Sequence, residues 1–222
     1  MFDLVIFDCD GVLIDSEIIS ARMLIEQLAK LGVTVDLDYV AKNFLGRSYP
    51  TVMETIRQEF KLYLPPEFED QYRARLLKAF ETGLTVMPGV SDVIRSLAVP
   101  FCIATSSSPA RVAKSLQMVG LGDLVGPTLF TSSMVARGKP APDLFLYAAE
   151  KMGMAPARCL VIEDSLTGIR AGIAAGMTVW RFTGGSHLMG RVLKQPEDAT
   201  AARLFASFDR FFQIAPELQR IP

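Results

Sequence analysis

The chain is patterned as short, continuous apolar runs that end in polar or acidic residues, separated by segments with apolar residues at helical spacing. Leu4-Val5-Ile6-Phe7 runs straight into Asp8 and Asp10. A run of that length without alternation predicts a strand buried on both faces, as in a parallel sheet. Similar runs predict strands over 101–105, 128–131, 159–163 and 178–182. Helical spacing predicts helices over 17–31, 37–45, 50–60 and 67–82, with stripes such as Leu24, Leu28, Leu31 and Leu76, Leu77, Phe80. Ser16 or Asp15 is a candidate cap for the first of these, and Gly32 ends it. Further helices are predicted over 90–97, 109–119, 142–152 and 166–175. After Gly184 the pattern weakens, and helices are expected near 199–205 and 207–214.

From residue 84 onward strands and helices alternate with short connections, which predicts an α/β fold with a parallel, doubly wound sheet. The block 16–84 reads as four helices without a strand, a small bundle inserted after the first strand. The expected core domain is therefore discontinuous, 1–15 and 85–222, with 16–84 as a helical cap domain. An insertion just past the strand ends lies above the ligand crevice, where a lid belongs.

Composition narrows the function classes. The 222 residues are 50% hydrophobic and 21% charged, with a net charge of −1. Such a balance argues against nucleic acid or an anionic membrane as partner. Cys9, Cys102 and Cys159 are an odd number without metal-ligand spacing, each in or beside an apolar run. They read as buried reduced thiols of a cytoplasmic protein. Cys9 lies between two aspartates, yet its side chain is expected to point away from theirs. A strand beginning almost at Met1 leaves no room for a signal peptide, and no apolar run approaches a membrane span.

The candidate chemistry sits at the strand ends. Asp8 and Asp10 are two apart in an extended stretch, so their carboxylates can converge on one site, and Gly11 permits the bend that follows. Two such charges repel unless offset; a divalent cation would do so, and hard carboxylate oxygens suit magnesium. The alternative is a solvated turn after an edge strand. Leu160-Val161-Ile162 likewise ends in Glu163-Asp164, where adjacent acids are costly without a cation, although Asp164 or Ser165 could simply cap the next helix. Thr105-Ser106-Ser107-Ser108 ends a strand in hydroxyls and opens a helix, a setting that holds anions or merely caps. Lys139 stands in a turn where Pro140 disfavours helical backbone, which fits a fixed cation for phosphoryl transfer and equally a surface lysine. Arg47, in the Gly46-Arg47-Ser48 loop between cap helices, suits a second anionic group or sugar hydroxyls, or is a surface arginine at a helix start.

Taken together, F-D-C-D-G-V-L-I-D-S, the strand-end threonine, G-K-P-A-P-D and E-D-S-L-T-G-I resemble the four motifs of the haloacid dehalogenase-like superfamily, in its phosphatase branch with a helical cap. The resemblance implies a Rossmann-like core, a phosphatase and Mg2+ as cofactor. It makes Asp8 the nucleophile that accepts the phosphoryl group. Asp10 becomes the general acid/base, its main-chain carbonyl also binding the metal. Thr105, helped by the Ser106 amide, and Lys139 would bind the phosphoryl group. Asp164 would be a metal ligand, and Glu163 either a direct ligand or one acting through water. Gly46, Arg47 and Ser48 resemble a cap loop of sugar-phosphate enzymes in this branch. The implied partner is a small phosphorylated metabolite, such as a sugar or sugar-acid phosphate (6-phosphogluconate is one candidate), handled by a monomer or weak homodimer.

Four alternatives are less well matched. The family's true dehalogenases lack the second aspartate, at the position of Asp10. A β-phosphoglucomutase would carry a histidine where Ser20 stands; the single histidine, His187, is far away and reads as a loop residue. A phosphonoacetaldehyde hydrolase would need a cap lysine that forms a Schiff base, whereas solvation explains Lys30, Lys42, Lys61 and Lys78. A non-enzymatic binding protein on a degenerate core would be expected to lack one of Asp8, Asp10, Lys139 or Asp164.

Overall fold

The computed structural model describes residues 1–193 and 195–220. Lys194 and residues 221–222, part of the expected core range, lie outside the described residues. Six strands, β1 (Leu4–Phe7), β2 (Phe101–Thr105), β3 (Leu129–Thr131), β4 (Cys159–Glu163), β5 (Thr178–Phe182) and β6 (Arg203–Phe205), form one sheet in the order β3-β2-β1-β4-β5-β6. Every pairing is parallel. The order reverses at β1, so the ligand crevice opens beyond the carboxyl ends of β1, β2 and β4.

Alternate side chains of the strands feed two cores, as the two-residue period requires. Val5, Phe7, Ile103, Leu160 and Ile162 meet α5 (Val90–Ser96), α6 (Pro109–Met118) and α9 (Phe211–Ile214) on one face. Leu4, Ile6, Ala104 and Val161 meet α7 (Asp143–Lys151) and α8 (Leu166–Ala174) on the other. Cys9 belongs to the first face and is fully buried, with its thiol pushed well up by burial and by Asp10 and Asp8.

Helices α1 (Glu17–Ala29), α2 (Leu37–Asn43), α3 (Tyr49–Phe60) and α4 (Phe68–Gly83) pack around a third core that includes Leu28, Ile56, Leu76 and Phe80. The chain leaves for this block and returns from it side by side. Asp15 N donates to Thr85 O and Met87 N to Leu13 O, each at 2.9 Å. This paired neck holds the helices over the strand ends.

Two expectations are corrected. The segment near 199–205 is not a helix: Arg203–Phe205 is the edge strand β6, paired with β5. Its alanines favour helix, but register with Trp180–Phe182 and packing of Phe205 against Trp180 and Phe182 override that preference. Nor does Ser16 cap α1 with its side chain; its hydroxyl is committed to Asp10.

Candidate active site

The floor of the crevice is built by turns that end buried strands. Asp8 follows β1, its amide held by Ile162 O at 2.9 Å. Glu163 ends β4 and Asp164 follows it. The three carboxylates offer oxygens that all lie within 4.8 Å of one another. Lys139, brought in by the loop between β3 and α7, has its Nζ 2.8 Å from Asp8 Oδ1 and 2.8 Å from Glu163 Oε1, and donates to Ala104 O at 3.0 Å. All four side chains are buried. Lys139 and the buried Arg181 behind Asp164 face three acids, and the remaining buried excess of negative charge is costly.

That excess is visible in the protonation equilibria. Burial, with Glu163 and Asp164 nearby, pushes the Asp8 carboxyl well above the usual range against the pull of Lys139. Burial and Glu163 push Asp164 up in the same way. Burial works against the charge on Lys139, yet Asp8 and Glu163 overcome it and raise that ammonium. Asp164 Oδ2 is buried without a hydrogen-bond partner among the described residues. An all-oxygen donor set from three buried acids, with surplus negative charge, fits a hard divalent cation.

The carboxylate oxygens of Glu163 are otherwise engaged. Oε1 takes the lysine, while Oε2 accepts from the Asp164 and Ser165 amides at 2.9 Å and from Ser165 Oγ at 3.0 Å. Ser165, not Asp164, caps α8 by accepting from Gly168 N. Asp164 is therefore free of capping duty.

The Asp10 carboxylate turns elsewhere. Oδ1 accepts from Ser16 Oγ at 2.5 Å and from Arg111 Nη2 at 2.8 Å, and Oδ2 accepts from Ser107 Oγ at 2.5 Å. It lies outside the three-acid group, leaving its main-chain carbonyl for the metal contact that the resemblance implies. Asp8 and Asp10 do border the same cavity of about 680 Å³, together with Thr105 and Ser106. The expected convergence is on one cavity, and the Asp10 carboxylate does not join the three-acid group.

The helical block closes this cavity from above. Gly46, Arg47 and Ser48 all line it. Ser106 Oγ donates to Gly46 O at 3.1 Å, and Thr167 Oγ1 donates to Leu45 O at 3.3 Å. Gly46 has φ +72°, and a Cβ there would fall 2.2 Å from Ser165 Oγ. Only glycine lets the loop come this close to the turn that carries Asp164.

Several lining residues had no signal in the sequence. Arg111 and Lys114 on α6 and Arg73 on α4 face the cavity; Arg73 also donates to Ser108 Oγ at 3.1 Å. The partner of Arg111 is 101 positions away, beyond any local pattern. Glu17, in the first turn of α1, borders the cavity, and burial, Asp10 and Asp164 push its carboxyl up to about 8. Ser20, at the position that would mark a mutase, donates to Ser16 O and accepts from Arg111. Arg137 is mostly exposed and paired with Asp143. His187, expected as a loop residue, is buried in the 3-10 turn Ser186–Leu188, with Nε2 2.8 Å from Asp164 Oδ2.

The chain resembles known proteins over most of its length. The sequence pattern of the haloacid dehalogenase-like hydrolases matches residues 2–176. The 6-phosphogluconate phosphatase of Escherichia coli K12 is 29% identical over 184 residues, covering 82% of this chain and 83% of that protein. Hexitol phosphatase A of the same organism is 30% identical over 179 residues, 78% of this chain and 80% of that protein. A hydrolase of this family from Deinococcus radiodurans R1, solved with bound phosphate and sodium, is 36% identical, covers 98% of this chain and 96% of its own, and superposes with a TM-score of 0.73. Among the described residues no helix is long and apolar enough to cross a membrane.

Proposed function

The chain belongs to the haloacid dehalogenase-like hydrolase family, and on that premise we propose that it is a magnesium-dependent phosphatase of small phosphate monoesters, working through an aspartyl-phosphate on Asp8. The observation that carries this reading is the Lys139 ammonium bridging Asp8 and Glu163 within the buried acid group. A solvated turn would not need that arrangement.

In this mechanism an Asp8 carboxylate oxygen attacks phosphorus in line, and the ester P–O bond breaks as the acyl phosphate forms. Asp10, fixed at the cavity wall by Ser16, Ser107 and Arg111, gives a proton to the departing alkoxide. It then takes a proton from the water that attacks the acyl phosphate, which frees inorganic phosphate and restores Asp8. Lys139, the Thr105 hydroxyl and the Ser106 amide neutralise the equatorial oxygens. Glu163 keeps Lys139 aimed at Asp8. The Asp8 and Asp164 side chains and the Asp10 carbonyl would hold magnesium, which supplies further charge neutralisation at the phosphoryl oxygens. Residues 16–84 serve as the lid that excludes bulk water.

The alcohol half of the substrate would lie against Arg47, Arg73, Arg111 and Lys114, all on the cavity wall. Four cations suit a sugar phosphate or one that carries a second anionic group, as a sugar-acid phosphate does. The 6-phosphogluconate and hexitol phosphatase relatives support that class.

A generic aryl phosphate and a panel of sugar and sugar-acid phosphates, assayed with and without Mg2+, test the proposal. Turnover that needs Mg2+ and vanishes in Asp8→Asn while the fold survives is expected. Near-normal activity of that variant, or no turnover across the panel, would refute it.

A further inference from the structure

His187 is the only histidine of the chain and takes no part in the chemistry above. Its ring is buried against Asp164, the one carboxylate of the site with an orphaned atom among the described residues. Nε2 lies 2.8 Å from Asp164 Oδ2, close enough for a hydrogen bond. The approach is misdirected, so neither ring nitrogen nor Asp164 Oδ2 has a hydrogen-bond partner among the described residues. Two buried polar atoms at this distance each leave the other as the available partner, and leaving both unmade is costly.

The surroundings are shaped for this pair. Gly11 has φ +78°, and a Cβ there would fall 2.1 Å from Asp164 Oδ2 and 3.0 Å from His187 Cε1. A Cβ on Gly185 would fall 2.6 Å from His187 Cε1. The ring and the carboxylate therefore meet in a slot that side chains at either position would fill. Ser186, next to the histidine, donates from its amide at 3.1 Å and its hydroxyl at 2.8 Å to Asp15 Oδ1, in the neck of the helical block. Arg181 Nε donates to the Asp164 main-chain carbonyl at 3.0 Å, fixing that residue's backbone as well.

We infer that His187 is a positioning residue for Asp164: a small turn of the ring aims its Nε2–H at Oδ2, so the other carboxylate oxygen is turned to the cation. The inference rests on the reading of Asp164 as a metal ligand. With Asp164 ionised to bind a cation, the proton of this contact must come from the imidazole. A neutral ring then carries its hydrogen on Nε2. Partners of this kind orient metal-binding carboxylates, and their loss weakens metal affinity by about 10- to 100-fold.

The single histidine makes the test direct. Imidazole nitrogen NMR of the wild-type chain, titrated with MgCl2, should show the Nε2–H tautomer and ring signals that move in step with Mg2+ saturation measured by calorimetry. His187→Ala should weaken Mg2+ binding about 10- to 100-fold; His187→Gln, which keeps an N–H at similar reach, should recover part of it. An Nδ1–H tautomer, ring signals indifferent to Mg2+, or wild-type Mg2+ affinity in folded His187→Ala would each overturn the inference. If His187→Ala does not fold, the wild-type spectrum alone decides. Failure of the underlying reading looks different: wild-type and Asp164→Asn chains would then bind Mg2+ equally, or not at all.

Discussion

Lys139 is the residue on which the charge balance of the site turns. It is the ammonium that Asp8 and Glu163 share, and its side chain is 1% exposed. Breaking a buried pair by removing one partner leaves uncompensated charge, so Lys139→Ala should lose about 3–5 kcal/mol of unfolding free energy in urea titration without metal. A second residue-scale test concerns Glu17, whose carboxyl rises from its ordinary 4.5 to about 8 through burial, Asp10 and Asp164. Its folded pKa is raised, so the folded chain holds a proton there that the unfolded chain has released between these values. The Glu17 contribution is fully present below about pH 4.5 and is lost as pH rises through about 8. Glu17→Gln should flatten this decline in a plot of melting temperature against pH for the metal-free protein. A slope unchanged from wild type would show that Glu17 does not titrate there. Asp8, Glu163 and Asp164 were legible as a candidate group because each sits where an apolar run stops. Arg111, Glu17 and His187 were not, because what they touch is set by tertiary packing of segments far apart in the chain.

At the scale of elements, the loop at 45–48 is where the helical block meets the chemistry. Its carbonyls take hydrogen bonds from Ser106 and Thr167, and Gly46 lies against Ser165. Gly46→Ala imposes a left-handed backbone costing about 1–2 kcal/mol and lifts the loop off the Asp164 turn. In steady-state kinetics kcat/KM should fall by about 10- to 100-fold, with KM rising. Unchanged kinetics would mean that the loop does not shape the closed site. Strands that end buried apolar runs were read to the residue: 101–105, 159–163 and 178–182 match β2, β4 and β5. Most helix ends moved by one or two residues, as capping and fraying allow. Strand β6 was hidden because Arg203-Leu204-Phe205 is short, lies at the sheet edge and follows an alanine-rich segment. Pairing with β5 and packing of Phe205 against the Trp180, Phe182 and Phe208 rings make it a strand.

For the whole molecule, one sheet delivers three strand ends and the Lys139 loop to a single point, and an inserted helical block closes over it. A cation bound there stabilises the folded chain by mass action, about 2.7 kcal/mol at a concentration 100 times the Kd. Saturating Mg2+ should therefore raise the melting temperature of the wild-type chain and leave that of Asp164→Asn unmoved; equal shifts in both would place the cation elsewhere. The claim at the centre is that Asp8 carries the phosphoryl group during turnover. Enzyme quenched in acid during steady-state hydrolysis and reduced with borohydride tests it most directly, because an acyl phosphate is converted to an alcohol that peptide mass spectrometry can place. The account predicts homoserine at position 8, dependent on substrate. Phosphate release with an unmodified position 8, or the modification at Asp10 instead, would contradict it.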